Sequence, residues 1–266
     1  MESGLIGLAG SLFIAGAAYW KKSLSASGFW AAVVLGTLMY ALGSPAWFGT
    51  LIAFFLTSSA LSKWKHRRKA AAESGYAKSG RRDAGQVLAN GGLGLLLCLG
   101  HAFLPNPGWW AAFIGVMAAV NADTWATEIG GLSRSAPRSI LNGRPVEPGT
   151  SGGITPLGTM ATAAGGLFIG AAAWALNAAA GVPHEARWAG FLPLCLLGLG
   201  GGLVGSLTDS WLGAVCQVMY RCSVCGKEIE KSRHCGAAAA RIRGASWMTN
   251  DAVNLISSAP EVLPPC

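Results

Sequence analysis

Apolar residues in this chain do not alternate with polar ones. They come in long blocks separated by short polar, basic or Pro/Gly segments, at about residues 4–20, 28–43, 45–62, 85–104, 109–128, 156–180, 188–216 and 245–263. A helix of about 20 apolar residues reaches across the roughly 30 Å hydrocarbon core of a bilayer. The pattern therefore predicts an all-α, polytopic transmembrane helix bundle of about eight spans (seven to nine), forming a single integral membrane domain over residues 1–266. The second and third blocks are short and meet at Gly43-Ser44-Pro45, which predicts a tilted pair or a tight hairpin.

Composition strengthens this reading. Charged residues make up 12% of the 266 and hydrophobic residues 52%, with 38 glycines and a mean hydropathy of +0.43. Soluble domains carry about 25% charged residues, so an unusually apolar soluble helical protein is the lesser alternative. Glu2 precedes the first block and Lys21 and Lys22 follow it. A cleaved signal peptide has the reverse order, so the first helix is expected to be retained.

The basic residues predict the orientation. With the N-terminus outside, nineteen of the twenty Lys and Arg residues fall in the inner loops and only Arg187 lies outside, as the positive-inside bias requires. In a prokaryote the membrane would be the plasma membrane, with the charged face cytoplasmic. The run "KWKHRRK" (63–69) then fixes topology and touches lipid headgroups, rather than binding nucleic acid.

Against this background the charges inside the blocks stand out. A carboxylate at the centre of a membrane helix costs about 2.5–3.5 kcal/mol on insertion scales. Yet "NADTWATEIG" (121–130) closes the fifth block with Asp123 and Glu128. Helical spacing aligns Asn121, Thr124 and Glu128 on one stripe, with Asp123 beside it. "GSLTDSWLGAVCQ" (205–217) places Asp209 late in the seventh block, and "WMTNDAVNLISS" (247–258) opens the eighth with Asn250, Asp251 and Asn254. A helix start needs one capping residue, not three. In the predicted topology these segments converge on the cytoplasmic face. They suit Mg²⁺, which takes one or two carboxylates plus water and substrate phosphates; an interhelical hydrogen-bond cluster is the plainer alternative.

Two loops add groups for anions. "PGTSGGITP" (148–156) offers Thr150, Ser151, Gly152, Gly153 and Thr155 immediately before a helix, where unsatisfied N–H groups and the helix dipole suit phosphate. Arg134, Arg138 and Arg144 lie upstream, with the capacity for bidentate phosphate contacts. The Gly-Lys-Ser/Thr ending of a Walker A loop is absent, and a plain flexible loop is the alternative. In "GRRDAGQVLANGG" (80–92), Arg81 leads into Gln86 and Asn90, which share a helix face.

Cys222, Cys225, His234 and Cys235 form a Cys-x2-Cys followed by a His-Cys pair. The spacing suits a small cytoplasmic knuckle at about 220–243 holding a structural Zn²⁺; reduced surface thiols are the alternative. Several carboxylates and many arginines at one membrane face can bring a metal–nucleotide to a second anion, which points to phosphoryl or nucleotidyl transfer onto a membrane-embedded substrate.

Taken together, "NADTWATEIG", "PGTSGGITP", "GRRDAGQVLANGG", "DSWLGA", the Cys-rich loop and "TNDAVN" resemble, in matching order from about residue 29 onward, the DUF92 family of integral membrane proteins. That family includes animal TMEM-type proteins and the plant phytyl-phosphate kinase. The resemblance implies a CTP-dependent kinase that converts a prenyl or phytyl monophosphate to the diphosphate, using Mg²⁺. Its polar centre would be Asn121, Asp123, Thr124, Glu128, Asp209, Asn250, Asp251 and Asn254. On our assignment Asp123, Asp209 and Asp251 hold Mg²⁺, while Arg81, Arg134, Arg144 and the 150–155 backbone hold phosphates. Trp211 stands in "DSWLGA" where the family pattern suggests an aliphatic residue. Two other readings stay open: a transporter or lipid flippase that uses the carboxylates as a relay, and a lipid-phosphate cytidylyltransferase.

Overall fold

The computed structural model describes residues 2–64, 74–78, 80–181 and 190–259. Most of the basic run at 63–69, Arg187 and the end of the last expected span lie outside these residues. Among the described residues seven long helices appear: α1 (Glu2–Trp20), α2 (Ala26–Leu42), α3 (Pro45–Lys63), α4 (Ala84–Phe103), α5 (Pro107–Gly130), α6 (Pro156–Ala179) and α7 (Phe191–Val215). They match the first seven expected spans within a few residues. Polar caps and prolines separate them. Ser25 caps α2, Ser44 and Pro45 open α3, Asn106 and Pro107 open α5, and Thr155 and Pro156 open α6. Asp83 and Gln86 form a reciprocal capping box on α4.

By length and apolarity α1, α3, α4, α6 and α7 each suffice to cross a membrane. The apolar α2 has 17 residues, about 26 Å of helix. The eighth expected span is corrected. Residues 250–257 form α8 (Asn250–Ser257), eight residues long, and about 12 Å of helix does not cross a bilayer. The block at 245–263 is amphipathic rather than uniformly apolar, so its helix lies against the bundle.

The bundle is built around α5, whose residues Ala111–Ala122 are all buried. Small residues let α6 and α7 close around it; a Cβ on Gly166 would lie 2.3 Å from the carbonyl oxygen of Gly198. Such backbone proximity is how membrane helices associate without a hydrophobic drive between them. At the end away from the charges, Trp47 packs on Phe113 and Trp110 at ring-centroid distances of 4.4 and 5.3 Å. Large apolar side chains face outward, with Phe13 78% and Trp20 82% exposed, as on a lipid-facing surface.

The helices alternate in direction. The connections at 21–25, between α3 and α4 (described at 74–78 and 80–83), at 131–155 and at 216–249 therefore gather at one end, where residues from all four line a single cavity. Two small sheets, which the helical reading did not anticipate, shape that end. Strands β1 (Arg138–Ser139) and β2 (Gly153–Ile154) pair antiparallel and close the third loop. Strands β3 (Met219–Cys222), β4 (Glu228–Ile229), β5 (Arg233–His234) and β6 (Ala237–Arg243) form a sheet in the order β4-β3-β6-β5. The Arg243 guanidinium ties this sheet to the end of α7, donating to the carbonyls of Gly213 at 3.0 Å, Ala214, and Ser151 at 3.3 Å.

Candidate functional site

The cavity measures about 880 Å³, toward the upper end of the roughly 300–1,000 Å³ of small-molecule sites. Five carboxylates, Asp123, Glu128, Asp209, Glu230 and Asp251, line it together with five cations, Lys21, Lys22, Lys63, Lys78 and Arg82. Asp123 and Asp209 lie within membrane-length helices. Each lies about two turns inside its helix end, or about 9–10 Å at 1.5 Å per residue.

Asp209 Oδ2 accepts a 3.0 Å hydrogen bond from Ser257 Oγ. With its amide turned to donate, Asn254 reaches the same oxygen at 3.0 Å and the Asn250 carbonyl at 3.2 Å. Thr249 provides the α8 cap, which leaves Asn250 on the cavity wall. Asp123 is close enough to Asp209 for their charges to repel. Among the described residues no hydrogen bond or ion pair engages Asp123. Two like carboxylates without a contacting cation require either a bound cation or a shared proton. The hard oxygen donors fit Mg²⁺.

Arg82 is set by its backbone. Residues 80–83 run alongside the start of α2, with Ser25 N–H donating to Arg82 O at 3.0 Å and Arg82 N–H to Ser23 O at 2.9 Å. Gly28 makes this passage possible, since a Cβ there would lie 2.1 Å from Arg82 O. The guanidinium stands 5.8 Å from the ring centroids of Phe54 and Phe55 and 3.4 Å from Ser59 Oγ. Arg82, Gln86 and Asn90 also border an apolar crevice lined by Leu35, Leu51, Phe54, Phe55 and Val87. The charged cavity and a greasy slot thus share one wall.

At the rim Ser62 Oγ donates to Glu128 at 2.5 Å. Lys78 bridges Asp251 at 2.5 Å and Asp83 at 2.9 Å. Burial works to lower the pKa of Lys78, but its hydrogen bonds to Asp251 and Asp83 prevail and hold it above the ordinary lysine value. Burial works to raise that of Asp83, but the Gln86 N–H and Lys78 hold it below the ordinary range. A chain of side chains completes the mouth. Ser151 Oγ donates to Gln217 at 2.8 Å, Gln217 Nε2 to Glu230 at 2.8 Å, and Ala77 N–H to the other Glu230 oxygen at 3.0 Å. Burial pushes the Glu230 carboxyl up.

Of the expected site residues, Asp123, Thr124, Glu128, Asp209, Asn250, Asp251, Asn254, Gln86, Asn90, Thr150, Ser151, Gly152, Gly153 and Thr155 all line the cavity. Others are corrected. Asn121 is fully buried and spans helices, donating to Gly165 O at 2.8 Å and accepting from Thr57 at 3.3 Å, so it packs the bundle. Arg81 is exposed and Arg82 takes its place, because neighbours on extended backbone point to opposite sides. Arg134, Arg138 and Arg144 are exposed and off the cavity wall; Arg138 instead fastens its own turn through Gly143 O at 2.9 Å.

The 150–155 amides are partly committed as well. Thr150 N–H bonds Glu147 O, Gly153 N–H bonds Thr150 O, and Thr155 Oγ1 caps Gly158 N–H at 3.0 Å. Asp251 is already matched by Lys78, whereas Asp123 and Asp209 have no ion pair among the described residues. The cavity charges missed from sequence were Lys21, Lys22, Lys63, Lys78, Arg82 and Glu230. Their signal, charges at helix ends and in polar loops, is shared by many solvated residues.

The chain matches the family model described as integral membrane protein DUF92 over residues 9–261. It is 33% identical to Protein PGR of Arabidopsis thaliana over 264 residues, covering 93% of this chain and 89% of that protein. An uncharacterised membrane protein of Methanocaldococcus jannaschii is 35% identical over 136 residues, covering 50% of this chain and 51% of that one. Protein VTE6, chloroplastic, of Arabidopsis thaliana is 25% identical over 92% of this chain and 65% of its own length. No solved structure matches. With a family match spanning nearly its whole length and a relative of similar extent, the chain belongs to the DUF92 family of integral membrane proteins.

Proposed function

We propose that the protein is a CTP-dependent kinase that converts a membrane-resident isoprenoid monophosphate, of the prenyl or phytyl class, to the diphosphate at the cytoplasmic face. The observation that carries this reading is the shared wall. A cavity holding paired carboxylates and a ring of cations opens beside an apolar crevice, with Arg82, Gln86 and Asn90 belonging to both. A ligand with an anionic head and an apolar tail fits that junction. The family resemblance to the plant phytyl-phosphate kinase supplies the acceptor class and the nucleotide.

In this mechanism Arg82 receives the monophosphate and the isoprenoid tail lies along Leu35, Leu51, Phe54 and Phe55. Lys21, Lys22 and Lys63 draw the triphosphate to the mouth. Asp123 and Asp209 would hold Mg²⁺, which when bound neutralises charge on the transferring phosphoryl group. An acceptor phosphate oxygen attacks the γ-phosphorus, forming one P–O bond as the bond to the leaving CDP breaks. The acceptor is already anionic, so no strong general base is needed. The work of the residues is positioning and charge neutralisation.

A flippase relay would need charged groups on both sides of the bilayer, whereas the carboxylates and cations of the cavity gather at one end and α5 is apolar from Ala111 to Val120. Cytidylyl transfer differs in its leaving group, so one assay separates the readings. Purified protein with CTP, Mg²⁺ and phytyl monophosphate is expected to release CDP. Pyrophosphate release, or no turnover with any nucleotide, overturns the proposal.

A further inference from the structure

The sheet between α7 and α8 carries a cluster that the transfer reaction does not use. Cys222 ends β3 and Cys225 follows in the next turn, while His234 and Cys235 sit at the turn from β5 to β6. Their four ligand atoms all lie within 4.8 Å of one another. His234 Nδ1 is 3.4 Å from Cys225 Sγ and 3.2 Å from Cys235 Sγ. A tetrahedral Zn²⁺ with Zn–S of about 2.3 Å and Zn–N of about 2.0–2.1 Å has S···N edges of about 3.6 Å and S···S edges of about 3.8 Å. The cluster is already on that scale.

The backbone around it is unusual in the same sense. Gly226 and Gly236, each directly after a cysteine, take φ of 73° and 76°, and Cys235 itself takes φ of 50°. Among the described residues only Lys22 and Cys235 adopt positive φ without being glycine. A non-glycine residue in this region carries a steric penalty, and here the conformation brings the Cys235 sulfur toward the other three ligands. Cys222, Cys225 and Cys235 are all free thiols, so no disulfide accounts for the arrangement.

The sheet also grips the cavity mouth. Glu230 lies between β4 and β5. Its N–H donates to Gly75 O at 2.9 Å while its carboxylate accepts from Ala77 N–H at 3.0 Å. Lys227 Nζ reaches Ser74 Oγ at 3.0 Å. The segment held in this way ends in Lys78, the residue that bridges Asp251 and Asp83. Between the sheet and the cavity there is thus a continuous line of contacts.

We propose that Cys222, Cys225, His234 and Cys235 bind one Zn²⁺ as a closed structural site, and that the zinc-held sheet is a positioning device that fastens residues 74–78 over the cavity mouth. Three soft thiolates and one imidazole favour zinc among common ions. All four ligands come from the protein, so no position is left for chemistry. The metal's role is to fix two turns that a sheet of four short strands does not hold alone. Its consequence at a distance is the placement of Lys78.

The test uses the full chain purified in detergent without chelator, with metal content read by mass spectrometry and amide hydrogen exchange followed in 74–78. Expected are one zinc per chain, near-zero zinc in Cys225→Ser/Cys235→Ser, and full zinc in Cys195→Ser, which alters a buried helical cysteine. Stripping zinc from the wild-type chain is expected to speed exchange at Ala77 by at least tenfold, and adding Zn²⁺ back to reverse it. Because the chelation arm uses the unmodified protein, a variant that fails to fold does not decide the matter. A metal-free wild type, iron with sulfide in place of zinc, or full zinc in the double variant overturns the site. Unchanged exchange on chelation overturns the positioning role. Neither readout depends on phosphoryl transfer, so this proposal and the kinase reading fail separately.

Discussion

Replacing Arg82 by Gln separates a binding role from a packing role, because the structure assigns the two very different magnitudes. The guanidinium lies 5.8 Å from each of two phenylalanine rings and 3.4 Å from Ser59 Oγ. At that range, close to the roughly 6 Å limit, each cation–π contact contributes about 0.5–1 kcal/mol, and a 3.4 Å hydrogen bond is a weak one. The substitution therefore removes about 1–2 kcal/mol of cation–π attraction and a Coulombic attraction to Glu128, while relieving the desolvation of an enclosed cation. The net change in stability is small. A charge-assisted hydrogen bond to phosphate is worth about 1.5–3 kcal/mol, and each 1.36 kcal/mol is tenfold in rate, so kcat/KM should fall roughly 10- to 150-fold. Arg82→Lys keeps the charge but loses the planar fork, and should fall between Gln and wild type. The assay is steady-state kinetics with phytyl monophosphate varied at saturating CTP, paired with thermal unfolding in the same detergent. A kcat/KM within twofold of wild type, or a loss matched by collapse of the unfolding midpoint, refutes the binding role.

Other outcomes follow from the same geometry. Asp209→Asn keeps an acceptor for Ser257 and removes the repulsion with Asp123, so kcat should fall at least about 100-fold with the unfolding midpoint unchanged or raised; a midpoint that falls with activity contradicts this. Gly85→Ala would place a Cβ 2.9 Å from Asp251 Oδ2 and 3.1 Å from Lys78 Nζ. Exchange protection of 74–78 should drop, and unchanged protection would show that the Lys78 bridge is not what holds the segment. Gly166→Ala would meet Gly198 O at 2.3 Å and should cost about 1–3 kcal/mol as overpacking, seen as a lower midpoint; no shift would mean that α6 and α7 have room to spare. The Lys78 bridge also sets a pH window. Lys78, with its raised pKa, contributes stability that is present below the ordinary lysine value and lost as pH climbs through the raised one. Asp83, with its depressed pKa, contributes stability that is present above the ordinary aspartate value and lost as pH falls through the depressed one. With zinc kept saturating so that His234 stays metal-bound, protection factors in 74–78 should be flat across neutral pH and fall in acid, and a decline centred near pH 6–7 contradicts the assignment.

The helices were legible because block length and capping chemistry agree. Asp83 with Gln86, Asn106 with Pro107 and Thr155 with Pro156 punctuate the apolar runs where the helices begin. Asp123 and Asp209 were legible because a carboxylate within such a run needs a reason. The last loop and the last block depart from what composition alone favours. "AAAARIR" has a helix-forming composition, yet Ala237–Arg243 is a strand, because pairing with Met219–Cys222 outweighs local preference. The apolar residues from Ala245 onward suggested a span, but among the described residues the helix there runs only from Asn250 to Ser257.

Which of Arg81 and Arg82 faces the cavity depended on a two-residue bridge to Leu24. Nothing in a pair of adjacent arginines reveals that register. Glu230 looked like a solvated charge in "KEIEK" and became part of the site through contacts with residues more than 150 positions away. The chemistry was therefore readable where it interrupts a membrane pattern and hidden where it depends on loops meeting in space.

The central claim is phosphoryl transfer between two anions at Asp123 and Asp209. The direct measurement is to supply purified protein with CTP labelled in the γ-phosphate, together with farnesyl, geranylgeranyl or phytyl monophosphate, and to locate the label. The account predicts label in the terminal phosphate of an isoprenoid diphosphate, with equimolar CDP, and its loss in Asp123→Ala. A diphosphate that never forms with any donor, or one that forms at full rate in Asp123→Ala, contradicts it.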